Sequence, residues 1–347
     1  MEELHTFFQN KDILITGGCG SIGSEVVRQL IKFKPKLIRV LDNNESGQFY
    51  LHQELEEHDN VRYLIGDIRD KKRLQLAVKG VDIVFHAAAL KHVPLCEYHP
   101  YETVLSNVIG TQNIVEASRE ANVDTFIGIS TDKVVNPINT MGASKLLSEK
   151  LIINGALGDY ETKYNYRTKF SCVRFGNVLN SRGSVIPTFK LQIKKGGPVT
   201  LTHPDMTRFF MSLQDAVNLV LRSAATTTGR EIFILKMRKL KISDLAESMI
   251  NNLASKYGHN PADIKIREIG IRPGEKMHEL LMNKEESVNV IRNDDKIIVI
   301  KPNFISPTYS EKSINLSAQQ IYSSEEEPHL TQDEIIEELK SQNALDD

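Results

Sequence analysis

Near the start of the chain, Thr16-Gly17-Gly18-Cys19-Gly20-Ser21-Ile22-Gly23 joins an apolar triplet, Ile13-Leu14-Ile15, to an amphipathic stretch running from Ser21 to Phe33. A strand that turns through glycines straight into a helix opens a βαβ unit and admits few other architectures. Glycine at 17, 20 and 23 allows a tight turn, close backbone approach to a pyrophosphate, and close packing of helix on strand. The start of the helix adds unpaired N–H groups and partial positive charge. Gly17, Gly20, Ser21, Ile22 and Gly23 are therefore expected to cradle a dinucleotide. Asp42, nineteen residues after Gly23 at the end of the next apolar run, is placed to bind adenosine ribose hydroxyls. A carboxylate there repels a 2′-phosphate, and residues 43–45 bring no arginine. NAD is thus favoured over NADP, though Lys36 and Arg39 lie close by in sequence.

The alternation continues. Apolar runs at Leu37–Leu41, Val61–Ile65, Asp82–Phe85, Phe126–Ile129 and Phe170–Arg174 read as strands, separated by helical patterns that include a long one over Tyr101–Ala121. Short apolar strands between helices predict an α/β fold with a doubly wound parallel sheet, binding its ligands at the strands' carboxyl ends. Gly66-Asp67-Ile68 follows the third strand, where Asp67 can take an adenine amino group. Ala87-Ala88-Ala89 follows the fourth, where small side chains let backbone lie against a cofactor. After Arg174 the chain turns rich in Gly, Pro, Ser and Asn up to about Arg208, as a loop-built pocket would. Met211–Ala224 reads as a helix capped by Ser212, Glu231–Leu235 as a strand and Ile242–Tyr257 as a helix. Residues 261–300 read as a small mixed lobe, and Thr331 with Glu334 as a capping box opening a terminal helix.

Composition excludes several classes. Among 347 residues the net charge is −2, so no global field draws nucleic acid or an anionic membrane. Cys19, Cys96 and Cys172 are odd in number and share no metal or redox spacing, and are expected as reduced, buried thiols. His86, His92 and His99 lack a metal-binding spacing, so no metal is expected. With neither a leader-like start nor an apolar run of the ~18–20 residues needed to span a bilayer, a cytoplasmic location is expected.

Taken together, TGGCGSIGSE, GDIRD, HAAALKHVP, NVIGTQN, STDKVVNP, MGASK, RFGNVLNSRGSVIPTF, LTHPDMTRFFMS and RPGEKMHE, in order from residue 16 to about 279, resemble the extended short-chain dehydrogenase/reductases. Within them the chain is similar to the polysaccharide-biosynthesis branch of nucleotide-sugar 4,6-dehydratases, of the UDP-N-acetylglucosamine inverting type. The tail, IYSSEEEPHLTQDEI, is similar to capsular-type members that also epimerise C5. The resemblance implies a Rossmann domain over 1–174, completed by about 208–236, and a nucleotide-sugar lobe over 175–207 and 237–306. Residues 307–347 are expected as a polar tail with a terminal helix. It also implies NAD or NADP as cofactor, a UDP-sugar substrate, and a homo-oligomer, dimer or hexamer.

A 4,6-dehydration oxidises the C4 hydroxyl, removes the C5 proton made acidic by the new ketone, expels the C6 hydroxyl and returns hydride to C6. Asp132 suits the acid that assists the leaving hydroxyl. Lys133, with a pKa lowered by burial and by Lys145, suits the base at C5. The resemblance implies the same roles, and a lysine rather than a glutamate at 133 favours inversion. Thr131 is expected to bond the C4 oxygen, and Lys145 and Asn107 to serve the cofactor. Met141 stands where a tyrosine base is usual, so Asp132 or Lys133, through Thr131 or a water, is expected to take the C4 proton. Lys91, Asn177, Arg182, Arg208, Arg272 and Glu275 are expected to hold the UDP-sugar. A UDP-sugar 4-epimerase shares fold, cofactor and pocket but needs no acid–base pair at C5 and C6. A non-catalytic dinucleotide sensor would account for the lost tyrosine but not for Asp132, Lys133 and Lys145.

Overall fold

The structure, a computed structural model, describes residues 2–155, 167–179, 181, 183–301, 321–326 and 328–346. Strands β1 (Asp12–Thr16), β2 (Leu37–Asp42), β3 (Val61–Ile65), β4 (Ile83–His86), β5 (Thr125–Thr131) and β6 (Lys169–Phe175) run parallel in a nine-stranded sheet. Its order is Val290–Asn293, Ile297–Ile300, Ile232–Leu235, β6, β5, β4, β1, β2, β3. The chain winds outward from β1 to β3, then returns to the other side of β1 with β4. That reversal opens a crevice above the carboxyl ends of β1 and β4. β1 and β4 are buried along their whole length, as strands covered on both faces must be. Phe126 on β5 and Phe170 on β6 are fully buried with ring centroids 5.1 Å apart. Burying each such side chain contributes about 1.5–3 kcal/mol.

The smaller lobe has its own apolar core, built on Phe189, Phe210, Leu245, Met249 and Leu339. Thr207–Met211 pairs antiparallel with Arg238–Lys241 and parallel with Asn177–Val178, and Val199–Leu201 pairs with Ile266–Glu268. Two expected helix starts are present: the Ser212 hydroxyl accepts the Asp215 N–H, and Thr331 with Glu334 forms a capping box. Of the tail expected from 307, residues 307–320, 327 and 347 lie outside the described residues. No helix among the described residues is long and apolar enough to cross a membrane.

Four elements differ from the sequence reading. Val290–Asn293 and Ile297–Ile300, assigned to the smaller lobe, extend the main sheet as an antiparallel pair on Ile232–Leu235. The run Ile297-Ile298-Val299-Ile300 has no polar face, so it needs cover on both sides, which the large sheet provides. The long helix is interrupted: Val104–Ile109 forms a π-turn between Pro100–Thr103 and Gly110–Glu120. There the Asn107 carbonyl accepts from the hydroxyls of Thr111 and Ser148, contacts that hold the wider turn open. The helix expected to reach Tyr257 ends at Leu253, and Ser255–Tyr257 makes a 3₁₀ turn closed by Gly258.

Two buried polar groups tie the sheet to its surroundings. Arg174 on β6 is wholly enclosed; it donates to Glu149 at 2.6 Å, to both carboxylate oxygens of Glu286 at 2.9 Å and to the Leu281 carbonyl at 2.9 Å. His86, at the end of β4, bonds Thr16 at 2.7 Å and Thr111 at 3.0 Å. Burial, with a smaller push from Lys145, lowers the His86 pKa from 6.5 to about 3. The ring is therefore neutral in the fold and protonates more readily once unfolded. Its contribution is complete above pH 6.5 and is lost as pH falls toward 3. Chemical denaturation should show about 2 kcal/mol of stability lost to this group between pH 6.5 and 5. His86→Gln should flatten that part of the profile; an unchanged slope in the variant would assign the acid sensitivity elsewhere.

Candidate active site at the carboxyl ends of the strands

A cleft of about 780 Å³ runs from the glycine turn, past the ends of β4 and β5, into the smaller lobe. Gly17 has φ +67°, and a Cβ there would lie 2.6 Å from the Ala88 nitrogen. A Cβ on Gly23 would overlap the Gly17 carbonyl oxygen. Both positions therefore need glycine for the turn to close against β4. A Cβ on Gly20 would meet only the Gly17 carbonyl, at 3.3 Å. The start of the Ser21–Ile31 helix faces the cleft through Ser21 and Ile22.

Next to this turn the cleft is walled by Ala87, Ala89, Thr131, Lys133, Met141 and Lys145. β5 ends at Thr131, and a 3₁₀ turn, Asp132–Val134, carries the chain beneath the cleft floor. Asp132 is 0% exposed; its Oδ1 accepts from the Thr131 hydroxyl at 2.8 Å and from Lys133 Nζ at 2.9 Å. The Thr140–Gly155 helix starts against this turn. Asn139 caps it through the Gly142 N–H, and a Cβ on Gly142 would strike the Lys133 carbonyl. That close start delivers Met141 and Lys145 to the same wall, one turn apart.

The two lysines differ in what surrounds them. Lys145 donates to the Ile129 carbonyl at 2.7 Å, and burial, outweighing Cys172 and Glu149, lowers its pKa. Burial also pulls on Lys133, but the charges of Asp132 and Glu279 outweigh it and the net shift is upward. This corrects the expected lowering: the nearest charges to Lys133 are carboxylates, and Lys145 is not what governs it. Glu279 was not singled out in the sequence, although the RPGEKMHE segment contains it. It is buried, with Oε1 3.6 Å from Lys133 Nζ and 4.0 Å from Arg208 Nε. Burial raises its pKa, and Lys133 only partly offsets that. Asp132 Oδ2 and Glu279 Oε2 are buried without a hydrogen-bond partner among the described residues.

The remaining expected residues divide. Lys91, Asn177, Arg272 and Glu275 line the cleft; Arg272 and Glu275 pair with each other at 3.8 Å. Arg208 also lines it, but its guanidinium is largely engaged by the carbonyls of Thr207 and Met277 and by the Met206 sulfur. Arg182 lies outside the described residues. Asp42 turns to the glycine loop, accepting the N–H groups of Cys19 and Asn44 at 2.9 Å. Asp67 is gripped by Arg69 at 2.7 Å, and Ile68 is buried against Gly110, so neither lines the cleft. Asn107 is buried too: its side chain takes the Leu90 N–H, donates to the Leu90 carbonyl and to Ser144, and so braces the wall from behind.

Comparison with known proteins fits this geometry. Residues 13–302 match the family described as polysaccharide biosynthesis protein. The chain belongs to that family. It is 57% identical over 298 residues to an uncharacterized membrane protein of Methanocaldococcus jannaschii, covering 86% of this chain and 88% of that one. It is 42% identical over 284 residues to the UDP-N-acetylglucosamine 4,6-dehydratase (inverting) of Campylobacter jejuni, covering 81% of this chain and 80% of that one. A UDP-glucose 4-epimerase of Rickettsia bellii is 42% identical as well, over 283 residues, with 80% of each chain covered. The chain spans about half the length (46%) of the capsular polysaccharide biosynthesis protein CapD of Staphylococcus aureus, at 48% identity over 80% of this chain. Pen from Bacillus thuringiensis, a solved structure, superposes with a TM-score of 0.89 at 38% identity, covering 97% of this chain and 99% of that one. The doubly wound sheet with a smaller lobe is thus the fold of this family and of the extended short-chain dehydrogenase/reductases.

In this family member Asn107 should prove a brace. Asn107→Ala strands the Leu90 N–H and carbonyl, at a cost of about 1–3 kcal/mol. Thermal melting should fall accordingly, and hydrogen exchange at the Leu90 amide should speed up. Unchanged exchange there would leave the clamp without a role.

Proposed function

We propose that the chain is a nucleotide-sugar 4,6-dehydratase acting on UDP-N-acetylglucosamine with NAD or NADP, and inverting C5. The observation that carries this reading is the Thr131–Asp132–Lys133 cluster at the end of β5, with Asp132 buried and its two neighbours facing the cleft between the glycine turn and the arginine-bearing lobe. The residues present fit a dinucleotide: a glycine-rich turn, a helix start without a side-chain cap, and Lys145 at the far wall. The bound cofactor supplies reversible hydride acceptance and return. The Asp42 carboxylate beside the turn supports NAD.

The chain's own residues handle protons. Met141 has a thioether, which cannot accept a proton from an alcohol at neutral pH, and it is nearly fully buried. Thr131 donates its hydroxyl to Asp132 at 2.8 Å, so a C4 hydroxyl bonded to Thr131 can pass its proton to Asp132. Asp132, once protonated, serves as the acid for the departing C6 hydroxyl. Lys133, as the free amine, removes the C5 proton that the C4 ketone has acidified. Arg272, Glu275, Asn177 and Lys91 lie toward the lobe, where a diphosphate and a nucleoside would extend. Self-association belongs to the same proposal: Leu95, Tyr98 and Tyr101 are largely exposed and near one another in sequence, apolar surface that a second copy of the chain would cover.

Incubation with UDP-N-acetylglucosamine in deuterated water, followed by NMR, tests the reading. A 4-keto-6-deoxy product carrying deuterium at C5 is expected, with couplings that report inversion. UDP-N-acetylgalactosamine without deuterium would make the chain an epimerase. Asp132→Asn should lower kcat by about 10²–10⁴-fold. Met141→Tyr should still bind the dinucleotide and turn over, because the C4 proton leaves through Thr131 and Asp132; loss of binding in that variant would displace residue 141 from the assigned wall.

A further inference from the structure

Lys133 lies between two carboxylates, not beside one. Its Nζ is 2.9 Å from Asp132 Oδ1 and 3.6 Å from Glu279 Oε1, and both acids keep a buried oxygen with no hydrogen-bond partner among the described residues. Glu279 reaches this place from the segment just before the Leu280–Met282 strand. Its N–H is bonded to the Ser324 hydroxyl and its carbonyl accepts the Ser324 N–H. The charged groups that face it are Asp132 and Lys133 from the turn after β5, Arg208 from Thr207–Met211, and Lys276 from its own loop; Lys91 faces Lys133 across the cleft.

The proton count of the proposed reaction gives this arrangement a purpose. At rest the Asp132–Lys133 ion pair holds one proton. Oxidation at C4 releases a second, and removal of the C5 hydrogen adds a third before the departing C6 hydroxyl takes one away. Two groups have places for only two protons. Where a tyrosine stands at 141 its phenol offers another site; here Met141 offers none.

Resting on the dehydratase reading, we propose that Glu279 is a positioning residue that holds the third proton, taking it from Lys133 so that Lys133 becomes the free amine. Atoms balance throughout. The C4 hydroxyl proton passes through Thr131 to Asp132, and the Lys133 proton passes to Glu279. The C5–H bond breaks with its proton going to Lys133. The C6–O bond breaks as Asp132 protonates the leaving oxygen, which departs as water. Hydride returned to C6 and a proton returned to C5 complete the product, and Glu279 hands its proton back to the cluster. Burial already biases Glu279 toward the protonated form, consistent with this use.

The test compares wild type with Glu279→Gln, which keeps the shape but cannot hold the proton, and Glu279→Asp, which can. Lysine Cε and Nζ resonances of isotope-labelled protein, with Lys133 assigned through Lys133→Met, report its titration midpoint without turnover. Loss of the facing negative charge in Glu279→Gln should move that midpoint down by about one to three pH units, and Glu279→Asp should leave it near wild type. With UDP-N-acetylglucosamine, kcat of Glu279→Gln at neutral pH should fall about a hundredfold or more and rise with pH along the Lys133 titration. Glu279→Asp should recover most of the rate. An unmoved Lys133 midpoint, a wild-type rate in Glu279→Gln, or a loss equal at every pH would overturn the proposal. Absence of any elimination product from wild type would instead defeat the dehydratase reading, while the resonance experiment would still judge the coupling of Glu279 to Lys133.

Discussion

A guanidinium buried without water is tolerable only when every donor is answered, and Arg174 is answered from three places at once. Glu149 comes from the Thr140–Gly155 helix, Glu286 from the short Lys284–Ser287 helix, and the Leu281 carbonyl from the Leu280–Met282 strand. Burial pushes the Glu286 carboxyl up, but Arg174 more than cancels it and holds the group ionised. Removing one partner from such a set leaves an uncompensated charge, at a cost of about 3–5 kcal/mol. The consequence reaches the site. Ser130, just before Thr131 and Asp132, donates to the second oxygen of Glu149 at 2.7 Å. The end of β5, the helix bearing Met141 and Lys145, and the Leu280–Met282 strand that follows Glu279 are thereby fixed relative to one another by one buried cation.

Within that frame the site is shaped by a competition that comes out differently for neighbouring lysines. Burial acts on both Lys133 and Lys145 to disfavour the ammonium. Lys145 has a carbonyl at 2.7 Å and weaker help from Glu149, so burial prevails. Lys133 has carboxylates at 2.9 and 3.6 Å, so the charges prevail. An opposite charge within about 4–6 Å is worth one to three pKa units, enough to reverse a burial penalty. The cluster therefore rests as an ion pair, and making Lys133 a base requires somewhere for its proton to go.

Much of this was legible in the chain. The apolar runs at β1 to β6 and the glycines between β1 and its helix mark out the parallel sheet because their periodicity and spacing are local properties. So are the Ser212 cap and the Thr331–Glu334 box. What stayed hidden depends on partners distant in sequence. Nothing near Lys133 announces Glu279, because the two meet only when the segment before Leu280–Met282 folds over the turn. Nothing near Arg208 says that the carbonyls of Thr207 and Met277 will occupy its fork, or near Asn107 that Leu90 will claim both ends of its amide. Ile297–Ile300 is plainly a strand, but which sheet accepts it is decided by the free edge of Ile232–Leu235.

Relatives bearing the dehydratase name and the epimerase name are each 42% identical to this chain, and the choice between them is a chemical one. It turns on what the chemistry asks of the cleft. Exchange at C4 needs one group to take and return the hydroxyl proton and a sugar free to present either face. An acid–base pair buried beside it would be idle, and burying two carboxylates around a lysine is costly unless their charges are used. Elimination across C5 and C6 needs both an acid and a base within reach of adjacent carbons. On the proposed reading Lys133 at the cleft wall and Asp132 just beneath it, joined at 2.9 Å and backed by a second carboxylate, are that acid and base; the alternative gives them no such use.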